Sequence, residues 1–357
     1  MSEISANRFV ILAAVESTYG TDAVATVGTT ATADIIHHDV RDLMIMPGRE
    51  IFAPTRRRAS AAGVAHVSFA QDCEVTCEIP MTGKAATGAG NEEPYYAPFL
   101  KAAGFTVAVV SDTSATYTLE TSAQDSATIY RFQRNLEDAN YRLQVATGVR
   151  WSATINAAVN EEASMSLEGR GLYTAESQLT DPAAFFNSDG EWSLLKNGST
   201  SVTARSGGGT EVGVNKTALG CKGITFTYGG TAMPVSTIEI NCNWTVDTVN
   251  TMQGSSTAKK QLLTMGDAAR IEGSFDLQDG DAALEALIDA LEADTEAAIS
   301  LVLTDGTDTI TIAMPKVQIG QYSEGSNGNV RTYTWPFFAN GNWASLAGDN
   351  AISIAYT

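Results

Sequence analysis

The chain has 357 residues, more than one ordinary core absorbs, so two domains are expected. Hydrophobic residues make up 44%, with no apolar run long enough to span a bilayer and no charged-then-apolar leader. This predicts a soluble protein, neither secreted nor membrane-inserted, made in the cytoplasm. The 41 acidic residues against 22 basic ones give a net charge of −19, which argues against a surface that grips nucleic-acid phosphates.

Residues 1–35 hold one apolar patch, 9–15, followed by a Thr/Ala/Gly-rich stretch without periodicity, and read as an arm. A strand is expected over 35–46, then a polar loop with Pro47, Gly48, Arg49 and Pro54 that ends in Arg56, Arg57 and Arg58. Over 64–79, Val67, Phe69, Cys73, Val75, Cys77 and Ile79 alternate with polar residues as in a half-buried strand, and Gln71 interrupts the apolar face, so a break is expected there. Cys73 and Cys77 would lie about 13 Å apart along that strand, too far to bridge, and read as buried thiols. A short helix is expected over 95–103, closed by Gly104, then strands at 117–119, 127–133, 141–145, 149–159 and 163–173.

Residues 180–215 contain Asp181-Pro182, Asn197-Gly198-Ser199 and Gly207-Gly208-Gly209, the composition of a linker or insertion. A strand follows at 236–246, then a polar loop ending in Lys259 and Lys260. The next stretch reads as one closed unit. Ile271, Gly273, Phe275 and Leu277 alternate along a strand; Asp281 can cap a helix whose Leu284, Leu287, Ile288 and Leu291 share one stripe; and 299–303, 309–314 and 331–338 return as strands, with Pro315 ending the second. An Asn-Gly turn at 326–329 precedes the last of these.

The two halves share an order of strand, polar loop with basic end, alternating strand, helix and closing strands, which predicts a duplication. The expected boundaries are 36–179 and 216–357, each a β domain with one flanking helix.

No catalytic or cofactor constellation emerges. His37 and His38 would point to opposite faces of a strand, and Asp276, Asp279 and Asp281 lack EF-hand spacing. No GxSxG, HExxH, Walker or GxGxxG motif stands in a supporting context, so no enzyme activity, cofactor or metal is expected. From 271 to 315 there is no Lys or Arg, while Glu272, Asp276, Glu285, Asp289 and Glu292 are among the acidic residues. That stretch is either a solvated, solubilising face or a surface that must not hold a polyanion.

Three stretches carry a resemblance: Glu16-Ser17-Thr18-Tyr19-Gly20-Thr21; the strand 73–79 leading to Met81-Thr82-Gly83; and YYAPFLKAAGF at 95–105. With Ala313-Met314-Pro315-Lys316-Val317 before a polar hairpin and an aromatic strand, the chain resembles the major tail tube proteins of long, non-contractile bacteriophage tails over nearly its whole length. The resemblance implies tail-tube-like β-sandwich or barrel domains with a flanking helix, closing into rings that stack as a hollow tube for DNA. Two copies per chain would make the ring a trimer with pseudo-sixfold symmetry rather than a hexamer. The chain's partners would be itself and the tape measure, tail terminator and tail tip proteins, with genomic DNA passing unbound, in the virion tail. Arg49, Arg56, Arg57, Arg58, Lys259 and Lys260 would reach the neighbouring ring, and the acidic residues would face the lumen or the outside. The alternatives are a capsid or virion decoration protein and a glycan-binding adhesin. Trp335 and Phe337, on one strand face, read as core or subunit interface.

Overall fold

A computed structural model describes residues 4–23, 34–36, 42–52, 67–84, 93–119, 124–135, 141–179, 196–197, 200–201, 224–250, 259–264, 271–278, 281–304, 307–327, 330–340 and 349–357. The first half runs β1 (Ile4–Val15), β2 (Asp34–Ile36), β3 (Asp42–Phe52), β4 (Val67–Pro80), α1 (Ala97–Ala102), β5 (Phe105–Val110), β6 (Ser114–Leu119), β7 (Ala127–Asn135), β8 (Tyr141–Ala158) and β9 (Ser164–Leu179). A small hairpin, β10 (Lys196–Asn197) and β11 (Thr200–Ser201), lies within the stretch read as a linker. The second half runs β12 (Thr225–Tyr228), β13 (Thr231–Ala232), β14 (Val235–Asn241), β15 (Thr245–Asn250), β16 (Lys259–Thr264), β17 (Ile271–Gln278), α2 (Asp281–Glu292), β18 (Ala297–Thr304), β19 (Thr309–Ile319), β20 (Ser323–Asn327), β21 (Val330–Ala339) and β22 (Asp349–Tyr356). The chain is mainly β, and its ladders are antiparallel. His37, His38, His66, Cys221, Arg56, Arg57, Arg58, Asp279 and the rest of 180–215 lie outside the described residues.

Three predicted breaks fall differently, and one strand predicted whole is divided. β4 continues through Gln71, and the irregularity appears in its ladder with β3 instead, between Arg49 and Ile51. The strands expected at 141–145 and 149–159 are one, β8, because Gly148 takes a positive φ of 63° at an irregularity and the chain runs on. Pro315 does not end β19. It sits where the ladder to β18 shifts, between Ile299↔Met314 and Ala297↔Val317, so its missing N–H falls at the irregularity. The strand expected over 236–246 divides at 242–244 into β14 and β15.

Helix α2 places Leu287 in the core and half-buries Leu284, Ile288 and Leu291 against it, the predicted stripe. In α1, Ala97, Pro98, Phe99, Leu100 and Ala102 are buried, and Phe99 stacks on Trp151 at 5.2 Å. Gly104, with φ 85°, donates its N–H to the Lys101 carbonyl and ends the helix.

Within the motif 16–21, the buried Glu16 acts as a polar staple. Glu16 accepts hydrogen bonds from Gly20 N at 2.7 Å, Ser126 Oγ at 2.7 Å, Thr128 Oγ1 at 2.8 Å and Gly148 N at 2.6 Å. A buried carboxylate is tolerated when it is solvated by donors in this way, and here it fixes the exit of β1 to β7 and β8.

The ladders of the two halves run in a like order. In the first half β1 pairs with β7, β7 with β8, β8 with β9, β9 with β4 and β4 with β3. In the second half β12 pairs with β18, β18 with β19, β19 and β20 with β21, β21 with β17 and β17 with β14. The two series correspond term by term. The β5–β6 hairpin has no counterpart in the second series, and it pairs across to the other half through β22, which lies between β19 and β6. A second seam joins the C-terminal end of β8 to β14, from Thr154↔Asn241 to Ala158↔Thr237.

Buried thiols and phenols give the core a pH dependence. Burial pushes Cys73 and Cys242 from an ordinary value of 9.0 up to about 12, and raises Cys77, Tyr96 and Tyr356. The unfolded chain releases these protons first, so the stabilisation is intact below about pH 8.5 and is lost as pH rises toward 12. The slope is about 1.4 kcal/mol per pH unit for each thiol in that window. The urea midpoint is therefore expected to fall steeply between pH 9 and 11; an unchanged midpoint would contradict the burial of these groups.

Candidate functional site

The seam makes one continuous sheet in the order β3–β4–β9–β8–β14–β17–β21–β20, four strands from each half. Alternation gives this sheet two unlike faces. Ile45, Val75, Cys77, Leu167, Trp151, Ile155, Ile240, Phe275, Trp335 and Phe337 point into the core. The other face is open and polar, and it carries Asp42, Asp72, Glu74, Glu78, Glu168, Glu239, Glu272 and Asp276. Among the described side chains its cations are Arg170, 3.8 Å from Glu74 and largely exposed, a pairing that adds little, and Arg150 opposite it, which is buried and donates to the Asp125 and Gln124 carbonyls.

Asp276 shows how a carboxylate is held there. Its cross-strand neighbours are Thr237 and Thr334, and both hydroxyls donate to it, at 2.7 Å and 2.5 Å. Glu272 accepts from Asn243 Nδ2 at 3.0 Å. These bonds orient the carboxylates and leave the sign of the face negative. A shallow cleft of about 560 Å³ lies on this face at the seam, lined by Glu74, Thr76, Ser152, Thr154, Glu168, Asn241 and Trp244 among others. Among the described residues no group of three or more His, Cys, Asp or Glu side chains is placed to hold a metal ion.

The predicted acidic set divides. Glu272 and Asp276 lie on the open sheet face, whereas Glu285, Asp289 and Glu292 lie on the exposed side of α2, a helix packed against the core beside β19. Strand alternation and the helical stripe point them to opposite sides of the core, so one continuous acidic surface does not include both groups. Of the predicted basic set, Arg49 lies on β3, and Lys259 and Lys260 open β16, opposite Asn250 and Val249 at the far end of the β15–β16 hairpin.

Trp335 and Phe337 are buried and Phe338 faces the opposite way, half-buried. The densest aromatic cluster of the sequence is therefore core, not an exposed platform of the kind a glycan needs.

The sheet ends in two strands that pair on one side among the described residues, β3 at one end and β20 at the other. On β3, Met44 and Met46 are 41% and 45% exposed, and 323–326 of β20 are exposed. An unpaired edge presents a row of N–H and C=O groups to any strand that can match it. Sequence periodicity identifies a strand's inner face but not its neighbour, so neither the seam nor these edges was foreseeable from the residues.

No protein-family model and no curated protein matches the chain.

Proposed function

We propose that this chain is a structural virion protein that assembles with copies of itself into stacked rings, forming the hollow tail tube of a long, non-contractile bacteriophage tail. The observation that carries the reading is the internal seam. Two four-stranded units of like order are joined edge to edge, and the two strands that meet there, β8 and β14, correspond to the two strands left open at the ends, β20 and β3. A unit that joins its own repeat in this way leaves ends of the kind that join the next chain, and such a series closes into a barrel without edges. Each half then corresponds to one tail-tube-like β domain with a flanking helix, and three chains complete a pseudo-sixfold ring.

The open face would line the lumen. Its carboxylates, with Arg170 as the exposed cation and Arg150 buried among the described side chains, support passage of DNA without adhesion, since phosphate affinity comes from clustered Lys and Arg. The β3–β4 and β15–β16 hairpins would carry Arg49, Lys259 and Lys260 toward the neighbouring ring, where acidic partners are available. Tape measure, terminator and tip proteins would be the further partners.

Negative-stain electron microscopy at rising protein concentration tests this. Hollow tubes with a regular axial repeat and three chains per ring are expected. Six whole chains per ring would refute the trimer, and compact particles that never polymerise, even with tail tip components, would favour a decoration protein.

A further inference from the structure

The internal seam also dictates a register for the joint between chains. We propose that β20 of one copy pairs antiparallel with β3 of the next, with Ser323 opposite Met46, Glu324 opposite Ile45, Gly325 opposite Met44, Ser326 opposite Leu43 and Asn327 opposite Asp42. This rests on the ring reading above and adds which residues meet.

The register follows from a shared irregularity that aligns the two halves residue by residue. The β7–β8 ladder passes from Ile129↔Ala146 to Ala127↔Val149, and the β18–β19 ladder from Ile299↔Met314 to Ala297↔Val317. The same slip, one residue against two, makes Val149 the counterpart of Val317. Two residues further, Trp151 opposes Gly169 and Ile319 opposes Phe337, so Gly169 matches Phe337. Across the next ladder Val75 opposes Gly169 and Gly273 opposes Phe337, and across the one after it Ile45 opposes Val75 and Ile240 opposes Gly273. Ile45 is therefore the counterpart of Ile240. On the other side, Met165 and Tyr333 lie four residues before Gly169 and Phe337, and they oppose Ile155 and Glu324. Ile155 and Glu324 correspond. Since Ile240 opposes Ile155 at the seam, Ile45 opposes Glu324 at the joint.

The fit of lengths supports this register. The seam uses 154–158, and its counterpart is 323–327, the whole of β20. The partner positions 237–241 correspond to 42–46, and β3 begins at Asp42. Gly325 leaves room for the Met44 side chain across from it. β20 reads SEGSN, with no apolar side chain, so the free edge stays soluble before assembly and the joint draws chiefly on main-chain hydrogen bonds.

Disulfide trapping tests the register, because paired residues in an antiparallel ladder have Cα atoms within disulfide reach. Cys73, Cys77 and Cys242 are buried, and Cys221→Ser removes the remaining thiol. Met46 and Ser323 are exposed, so Met46→Cys and Ser323→Cys leave the fold intact, which an unchanged Tm verifies. Mild oxidation of an equimolar mixture of the two single variants is expected to give a covalent dimer, and the double variant a ladder of covalent oligomers. Met46→Cys mixed with Glu324→Cys, slipped by one residue and so facing the opposite side, is expected to cross-link at least 10-fold less. Rings or tubes whose thiols at 46 and 323 stay free, or that cross-link best in the slipped pair, overturn the register while the ring reading stands. A chain that stays monomeric at every concentration with no cross-link overturns both.

Discussion

Truncation after residue 348, which removes β22, is expected to leave a chain that no longer folds to a soluble state. Strand β22 is the shared neighbour of β19 in one half and β6 in the other, through ladders such as Ile312↔Ile354 and Tyr117↔Ile354. Ile352, Ile354 and Tyr356 are fully buried. Tyr356 shares a hydrogen bond of 2.8 Å with the Tyr96 hydroxyl and meets the Tyr96 and Tyr117 rings edge-on. Losing three such side chains removes about 5–9 kcal/mol of burial alone, comparable to the whole stability of an ordinary domain, and it leaves two strand edges unpaired inside the protein. Soluble yield and thermal melting of the truncated chain measure this. A soluble product melting within a few degrees of the parent would show that the two halves hold together without their common strand.

Trp335→Ala is expected to cost about 3–5 kcal/mol. The indole is fully buried, its cross-strand neighbour is Phe275, and the Tyr322 ring lies 4.7 Å away, so truncation opens a cavity that a sheet cannot readily close. Chemical denaturation should show the loss, and under the proposed function tube formation would fall with it. A variant that folded and assembled normally but lost affinity for a glycan would reverse the assignment of this residue to the core.

The sequence legibly encodes faces, and the structure adds neighbours. The alternation in β4 and β17 and the stripe of Leu284, Leu287, Ile288 and Leu291 specify what points inward, because burial of apolar surface is local to each residue. Which strand lies beside β8 is decided by main-chain hydrogen bonds that any residue but proline can make, so the seam left no mark on composition. Strand β22 lies beyond the elements predicted from the sequence, although Ile352, Ile354 and Tyr356 alternate. The acidic stretch 271–315 misleads for a different reason. Charge is counted along the chain, whereas Glu272 and Glu285 belong to elements that face apart.

The seam between β8 and β14 has a further consequence for how assembly would respond to dilution. Because both of its strands belong to one polypeptide, that joint closes at an effective concentration set by the intervening chain, not by the number of molecules in solution. In a ring of three, every second joint would already be made before any two molecules met. Each encounter would then fix two repeat units for one loss of translational and rotational freedom, lowering the protein concentration at which rings persist compared with an otherwise identical single-repeat subunit.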